Sequence, residues 1–255
     1  MKNIQLYILM IFFSANSFGF TLSKSNFERL NSDFLSFFKL QVTENVKINL
    51  IANWDINYPA ASTERSTDFE ITRHRRPIEW DVSILSGYYR ETEGGHDVHL
   101  LALCHEMAHH LGGRPYKLDE GGQIRWASME AQSDYWATKE CIPEFLKKFP
   151  RYLKLRKKIH PEIKRKCSRA YYSWFSNYKY CLFSSQAALQ MAKIHDKHRL
   201  PSEPASPAVT PESPDPTVVT TLDRNVYPSN QCRFDTCIAG ALGEPRPVCW
   251  YPEKD

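Results

Sequence analysis

The 255-residue sequence predicts an α+β fold, with a small sheet followed by a mainly helical part. Two observations support this prediction. In the first third of the chain, short segments alternate between apolar and polar residues, as half-buried strands do. In the second half, longer segments carry apolar residues at helical spacing and are broken by prolines.

The elements of the sheet region can be predicted in order along the chain. Asn26 to Leu40 has the apolar spacing of an amphipathic helix, and Val46 to Trp54 alternates as a strand does. The small, polar stretch from Asn57 to Ser66 predicts a loop or hairpin. Further strands are predicted at Phe69 to Arg73 and at Glu79 to Tyr89.

A very apolar helix is predicted next, at Val98 to Leu111, and its composition is typical of a helix buried in a core. Asp97 is predicted to cap its start, and Gly112-Gly113 followed by Pro115 to end it. After this helix we expect a Gly-rich loop to Trp126, a helix from Ser128 to about Cys141, and a mainly helical block from Pro143 to His198 that is broken near Pro150 and Pro161.

The apolar helix contains the pentapeptide His105-Glu106-Met107-Ala108-His109. Residues four apart lie on one face of a helix, so both imidazoles can bind one Zn²⁺ ion. Glu106 lies about 100° round the helix and can act as general base on a water at the metal. The alternative interpretation is a pair of core histidines with satisfied hydrogen bonds and an incidental glutamate.

A catalytic zinc ion needs a third protein ligand and an open position. Pro115 stands six residues after His109, where metzincins have a histidine, so that class is excluded. Glu130 follows on the next predicted helix, with Asp134 one turn later on the same face. Glu130 is the candidate ligand, and Asp134 can accept a hydrogen bond from a ligand histidine. The alternative is two surface acids.

With these residues the chain resembles the gluzincins, zinc metallopeptidases related to thermolysin and to the HtpX-like membrane proteases. The shared HExxH and ExxxD elements match His105 to His109 and Glu130 to Asp134. The resemblance implies a zincin-like fold with a small twisted sheet, a motif helix and a ligand helix, followed by a mainly helical lobe. It implies one Zn²⁺ ion bound by His105, His109 and Glu130, with Glu106 as base and Asp134 orienting a ligand histidine.

The resemblance further implies an exported zinc-dependent peptidase that hydrolyses a protein or peptide substrate by metal-activated water. The strand from Trp80 to Tyr89 would be the sheet edge to which a substrate backbone adds. A tyrosine or histidine would stabilise the oxyanion. Its candidates, none of which is assigned, are Tyr171, Tyr172, Tyr178, His195 and His198. The histidines expected to be structural are His74, His96, His99 and His110.

Two other functions stay open at this stage. The first is a zinc amide hydrolase that acts on cell-wall peptide cross-links. The second is a non-catalytic metal-binding envelope protein, for which a damaged base or ligand would be the distinguishing feature. Glu106 is intact in this sequence.

The first residues predict a secretory signal peptide, with a positive charge at Lys2 and a short apolar stretch from Ile4 to Phe13. No transmembrane anchor is predicted later in the chain, so we expect a periplasmic or secreted protein. The predicted domains are a signal peptide at 1–19, a zincin-like metallopeptidase domain at 20–199, a Pro-rich tether at 200–222 and a Cys-containing tail at 223–255.

The net charge is only +4, but basic residues are dense between Lys147 and Arg169. This run predicts a solvated helix face or, alternatively, a surface for an anionic envelope partner. No motif interleaves aromatic and basic residues as nucleic-acid-binding motifs do, so a nucleic-acid partner is not expected.

Seven cysteines in an exported chain favour three disulfides and one free thiol. Cys104 is predicted to be the free cysteine, because a small thiol packs well in a buried helix. On one continuous helix, Cys167 and Cys181 would lie ~21 Å apart and could not bond to each other.

The other cysteines allow two further hypotheses. A zinc knuckle at Cys232, Cys237 and Cys249 would lack a fourth ligand. Alternatively, the tail could cover the cleft, with one of these thiolates at the open metal position.

Overall fold

The fold of the chain is α+β, as predicted. The computed structural model describes residues 22–66, 78–199, 207–224 and 226–252. The predicted signal peptide, the predicted strand from Phe69 to Arg73, and His74 lie outside these residues.

The described residues form strands and helices at the following positions. The strands are β1 (Val46–Asn53), β2 (Ala61–Arg65), β3 (Ile78–Leu85), β4 (Tyr116–Leu118) and β5 (Ile124–Ser128). The α-helices are α1 (Lys24–Lys39), α2 (Gly87–Arg90), α3 (His96–Leu111), α4 (Glu130–Trp136), α5 (Ile142–Lys148), α6 (Pro161–Ala170), α7 (Ser176–His198) and α8 (Asn230–Leu242).

β3 is the central strand of a three-stranded sheet with the order β1-β3-β2. β1 runs parallel to β3, and β2 runs antiparallel to it, pairing Ala61 with Ile84. Trp80, Val82 and Ile84 are buried and alternate with half-buried residues, so one face of β3 lies against the core. β4 and β5 form a separate hairpin.

The prediction that Trp80 to Tyr89 is an edge strand is wrong. β3 has a neighbour on each side, and the second half of the predicted loop or hairpin at Asn57 to Ser66 is the strand β2. Within the described residues, β2 is therefore the sheet edge opposite β1.

The strand predicted to run to Tyr89 ends at Leu85, and α2 follows. At Gly87 the chain passes against the backbone of Tyr58, where an added Cβ would lie 2.1 Å from the carbonyl carbon. This close approach requires glycine and marks the point where the extended chain turns into α2.

α3 is buried from Asp97 to His110, which confirms the prediction of a core helix. The helix ends at Leu111, before Gly112, as predicted. Asp97 does not cap the start of the helix. It lies inside the first turn, where its carboxylate accepts hydrogen bonds from Nε and Nη2 of Arg156 at 2.6 and 2.8 Å.

The ring of His110 is packed between two tryptophans and is structural, as predicted. It stacks on Trp80 at 4.3 Å and on Trp126 at 4.7 Å between ring centroids. His96 and His99 are also structural, because they hydrogen-bond to the Tyr152 carbonyl and to the Asn31 amide oxygen.

The helix predicted from Ser128 begins instead at Glu130, because Ser128 is the last residue of β5 and pairs with Tyr116. α4 continues through a π-helical turn, Ala137–Cys141, into α5. The helical block ends at His198, and α8 from the C-terminal part packs on α7 and α4. No helix of the described residues combines the length and apolar character needed to cross a membrane.

The structure contains three disulfides, as predicted, but the prediction that Cys104 is the free cysteine is wrong. Cys104 is not free: it bonds to Cys141 of the π-helical turn that lies against α3. Cys167 and Cys181 do bond to each other, because they lie on two helices, α6 and α7, with a turn between them.

The last disulfide joins Cys232 to Cys249, so neither residue offers a thiolate to a metal ion. The free cysteine is Cys237, which is buried in α8. Burial raises the pKa of its thiol well above the usual value. No zinc knuckle exists among these three residues.

A thiol count tests this disulfide pattern. Under denaturing, non-reducing conditions, an alkylating reagent should modify Cys237 alone, because the other six cysteines are oxidised. After reduction, all seven should react. Intact mass and peptide mapping measure both states, and alkylation of Cys104 before reduction would contradict the pattern.

A second prediction concerns the contact between α8 and α4. At Gly240 an added Cβ would lie 2.5 Å from the Tyr135 carbonyl oxygen and 2.3 Å from Thr138 Oγ1. Gly240→Ala should lower the free energy of unfolding by roughly 1–3 kcal/mol, because the backbone of α4 must shift. Urea denaturation measures the change. Gly121→Ala is the control, since that Cβ meets only Asp119 Oδ1 at 3.4 Å; equal stability of the two variants would contradict the prediction.

Candidate metal centre

The helix α3 places His105, Glu106 and His109 in one buried cluster. The two imidazole rings lie on the same face, with their centroids 4.7 Å apart. One potential ligand atom from each of the three residues lies within 4.8 Å of the other two. This cluster could hold a metal ion.

Glu130, the first residue of α4, lies against both histidines. Its Oε2 atom is 3.1 Å from His105 Nε2, and its Oε1 atom is 3.6 Å from His109 Nε2. The two imidazoles therefore point their Nε2 atoms at the same carboxylate. The structure thus brings together the two helices that carry the predicted ligands.

The other ring nitrogen of each histidine is held by an acceptor. His105 Nδ1 lies 2.8 Å from Asp134 Oδ1, and His109 Nδ1 lies 2.8 Å from the carbonyl oxygen of Ser128. A carbonyl oxygen can only accept, so the proton of a neutral His109 ring is on Nδ1. Ser133 Oγ also lies 3.0 Å from this nitrogen. A neutral ring held in this way presents the lone pair of Nε2 to a cation.

Asp134 is positioned by Arg233, a residue that sequence analysis missed. Arg233 of α8 donates from Nε to Asp134 Oδ2 at 2.7 Å and from Nη2 to Asp134 Oδ1 at 2.8 Å. Both residues of this pair are buried, and Arg233 Nη2 lies 3.8 Å from Glu130 Oε2. In the sequence, Arg233 stands between Cys232 and Phe234 of the predicted tail, and no local pattern marks it as part of the site.

Lys117 is a second missed residue. It lies on β4, and its Nζ donates to Glu130 Oε1 at 2.5 Å. The side chain of Lys117 is partly exposed, so this ion pair forms where the buried cluster meets solvent. Glu130 thus lies close to two histidines and to the positive charges of Lys117 and Arg233.

The pKa values of the histidines are shifted in opposite directions. Burial opposes protonation of His105, but the carboxylates of Asp134 and Glu130 outweigh burial and raise its pKa to about 10. Burial and the neighbouring charge of His105 lower the pKa of His109 to about 3. The two rings therefore cannot both be charged near neutral pH.

The carboxylates also differ in pKa. Burial raises the pKa of Glu106 to about 7. Burial also favours the neutral form of Asp134, but Arg233 and His105 overcome it and lower the pKa to about 2. Asp134 is therefore a fixed charge, whereas Glu106 exchanges a proton near neutral pH.

The cluster opens into a cavity of about 300 Å³. Its walls come from several elements: β2 contributes Ser62 and Thr63, β5 contributes Trp126, and α7 contributes Met191 and His195. The candidate ligands His105, His109 and Glu130 also line the cavity.

Of the five oxyanion candidates, only His195 lines this cavity. Its Nε2 atom lies 3.0 Å from the hydroxyl of Tyr88, which also faces the cavity and was missed. Tyr171 instead donates to the Ala241 carbonyl, and His198 pairs with Glu91. The remaining two candidates, Tyr172 and Tyr178, are not part of the cavity wall.

The residues present fit a bound metal ion. Two imidazole Nε2 atoms and a carboxylate converge, and both imidazoles have their Nδ1 atoms fixed by acceptors, as metal-binding histidines do. Comparisons with protein-family models, with curated proteins and with solved structures found no match for this chain.

The structure predicts that Arg233→Gln is strongly destabilising. Removing the guanidinium leaves the buried Asp134 carboxylate without its bidentate partner, which should lower the free energy of unfolding by roughly 3–5 kcal/mol. Urea denaturation measures the loss.

Arg165→Gln is the matched control. Arg165 also donates two hydrogen bonds to one carboxylate, that of Glu162, but the pair is on the surface. Solvent screens it, so this variant should unfold like the wild type. Equal stability of the Arg233 and Arg165 variants would show that the buried pair is not required.

Proposed function

We propose that this protein is an exported zinc-dependent peptidase of the gluzincin type. The observation that supports it is the convergence of His105 Nε2, His109 Nε2 and the Glu130 carboxylate beside Glu106. A zinc ion bound there would supply a Lewis acid for water and for a peptide carbonyl. The three disulfides support export, because disulfides persist in oxidising compartments.

Two glutamates lie close to the histidines, and their contacts support a different proposed role for each. Glu130 reaches the Nε2 atoms of both histidines from a second helix, which is the position of a third ligand. Glu106 follows His105 on α3 and lines the cavity, where substrate would lie. Glu106 is therefore proposed to take a proton from the attacking water and to pass it to the leaving amine.

The proposed substrate is an extended peptide that lies along β2. The strand carries Ala61, Ser62 and Thr63 on the cavity wall, and within the described residues its outer edge pairs with no strand. A peptide backbone can add to such an edge through main-chain hydrogen bonds. This assignment replaces the edge that the resemblance implied at Trp80 to Tyr89.

His195 is proposed to donate a hydrogen bond to the oxyanion. It lines the cavity with the candidate ligands and contacts the hydroxyl of Tyr88. Burial lowers the pKa of His195 to about 3, so a neutral ring would act as the donor.

The proposed fold type is zincin-like. Support comes from the motif helix α3 and the ligand helix α4, which meet at the cluster, and from a small sheet whose strand β2 packs beside α3. The helical lobe formed by α5 to α7 follows in the chain.

The test is the zinc content of the purified mature protein, measured with casein turnover on the same samples. The wild type should bind one zinc ion per chain and cleave casein. His109→Ala and Glu130→Gln should lose zinc, because each removes a ligand. Glu106→Gln should keep zinc but lose turnover by about 10²-fold or more, because it removes the base.

Glu144→Gln serves as the control, since Glu144 is exposed and forms a surface ion pair with Lys147. It should match the wild type in both measurements. Loss of zinc in Glu106→Gln, with zinc retained in Glu130→Gln, would exchange the proposed roles. Zinc without turnover of casein would contradict the peptidase and leave a metal-binding protein or an amide hydrolase of other substrates.

A further inference from the structure

The turn between α6 and α7 exposes a cluster of three large aromatic side chains, which we call the aromatic tip: Tyr172, Trp174 and Phe175. Their side chains are 66%, 74% and 56% exposed. Large aromatic residues are costly to leave in water, and contiguous exposed apolar patches on proteins mark interaction sites. None of the three lines the candidate metal centre.

The aromatic tip has a defined conformation. Phe175 donates its backbone N–H to the Tyr172 carbonyl at 3.0 Å, which closes the turn. The rings of Tyr172 and Trp174 stack with centroids 4.9 Å apart and planes 12° apart. The Cys167–Cys181 disulfide joins the two helices at the base of the turn. The aromatic tip therefore projects into solvent from two helices that a disulfide joins.

The base of the turn is also anchored to the protein. Tyr171 is half-buried and donates its hydroxyl to the Ala241 carbonyl at the end of α8 at 3.2 Å. Cys167 and Tyr180, on either side of the turn, are buried. The chain between them, residues 172–177, is exposed.

Basic residues lie on both helices that flank the tip. The helix α6 carries four basic residues, and the start of α7 carries another; they are Lys164, Arg165, Lys166, Arg169 and Lys179. The sequence contains no acidic residue between Ile163 and His195. The acidic groups that act on this region are Glu162, which is paired with Arg165, and Asp235 and Glu244 from the α8 side.

This combination matches an anionic phospholipid surface. Tryptophan and tyrosine favour the headgroup region of a bilayer, where apolar ring faces leave water while polar atoms stay hydrated. Lysine and arginine beside them are attracted to lipid phosphates. A second copy of the chain is a poorer partner, because its equally basic tip region would repel this one.

We propose that residues 172–175 dock into the headgroup region of a bilayer that contains anionic phospholipids, with α6 providing the electrostatic attraction. The bonding is non-covalent and reversible. Because α7 rises ~1.5 Å per residue, the cavity residue His195 would lie ~30 Å along the helix from Phe175. The cavity would then be held at a distance from the lipid surface instead of against it.

The test is co-sedimentation of the full mature protein with vesicles of phosphatidylcholine, prepared with and without phosphatidylglycerol. The wild type should bind the anionic vesicles, and raising the salt concentration should weaken binding. The double variant Trp174→Ser/Phe175→Ser should reduce the partition coefficient by about tenfold or more, because it removes the inserting rings. Arg169→Glu should also weaken binding to anionic vesicles.

Ile51→Ser is the matched control, because Ile51 is 57% exposed but lies on β1. It should bind vesicles like the wild type. Circular dichroism shows whether each variant is folded, and Arg169→Glu, a surface charge change, tests the proposal separately from the aromatic double variant.

Three outcomes would overturn the proposal. The first is equal vesicle binding by the wild type and Trp174→Ser/Phe175→Ser. The second is loss of vesicle binding when glycerol phosphate is added at the same concentration as the lipid phosphate. This loss would indicate a site for a phosphate group instead of contact with a bilayer. The third is Trp174-dependent binding to isolated peptidoglycan without binding to vesicles.

Discussion

The buried carboxylate of Asp134 is the interaction on which the candidate site depends. It accepts hydrogen bonds from His105 Nδ1 and from two nitrogens of Arg233, so it joins α3, α4 and α8 at one point. A carboxylate out of contact with water is stable only when it is paired and hydrogen-bonded. The packing of α8 on α4 and α7 is therefore part of the site, although α8 lies about a hundred residues later in the chain.

Orientation of the two histidines follows from the partners of their Nδ1 atoms. Asp134 holds one ring, and the carbonyl of Ser128 at the end of β5 holds the other. Both Nε2 atoms then face Glu130 at the start of α4. Because each partner belongs to an element packed on α3, the ring positions are set before any metal ion binds. Because the rings are already held in place, binding of a metal ion would require little rearrangement of the side chains.

The disulfides cross-link the parts of the chain that carry these features. Cys104, next to His105, is bonded to Cys141 at the end of the helical segment that begins with Glu130, so the two helices of the site are covalently joined. A second bridge joins α6 to α7 below the aromatic tip, and a third joins α8 to the chain that follows it. Each disulfide restricts the conformations of the unfolded chain, and each lies near a segment for which a role is proposed.

Local periodicity was sufficient to predict the helices α1 and α3 and the strand β1. It also predicted that His105 and His109 lie on one face of α3, because this depends only on residues close in the chain. The pair Glu130 and Asp134 was also predictable, since both lie on one helix face. Tertiary structure alone decided that Arg233 and Lys117 contact the candidate site residues, that β2 is an edge strand among the described residues, and that Cys104 bonds to Cys141. Each of these contacts joins segments whose pairing depends on how the whole chain packs, and no local pattern of side chains carries that information.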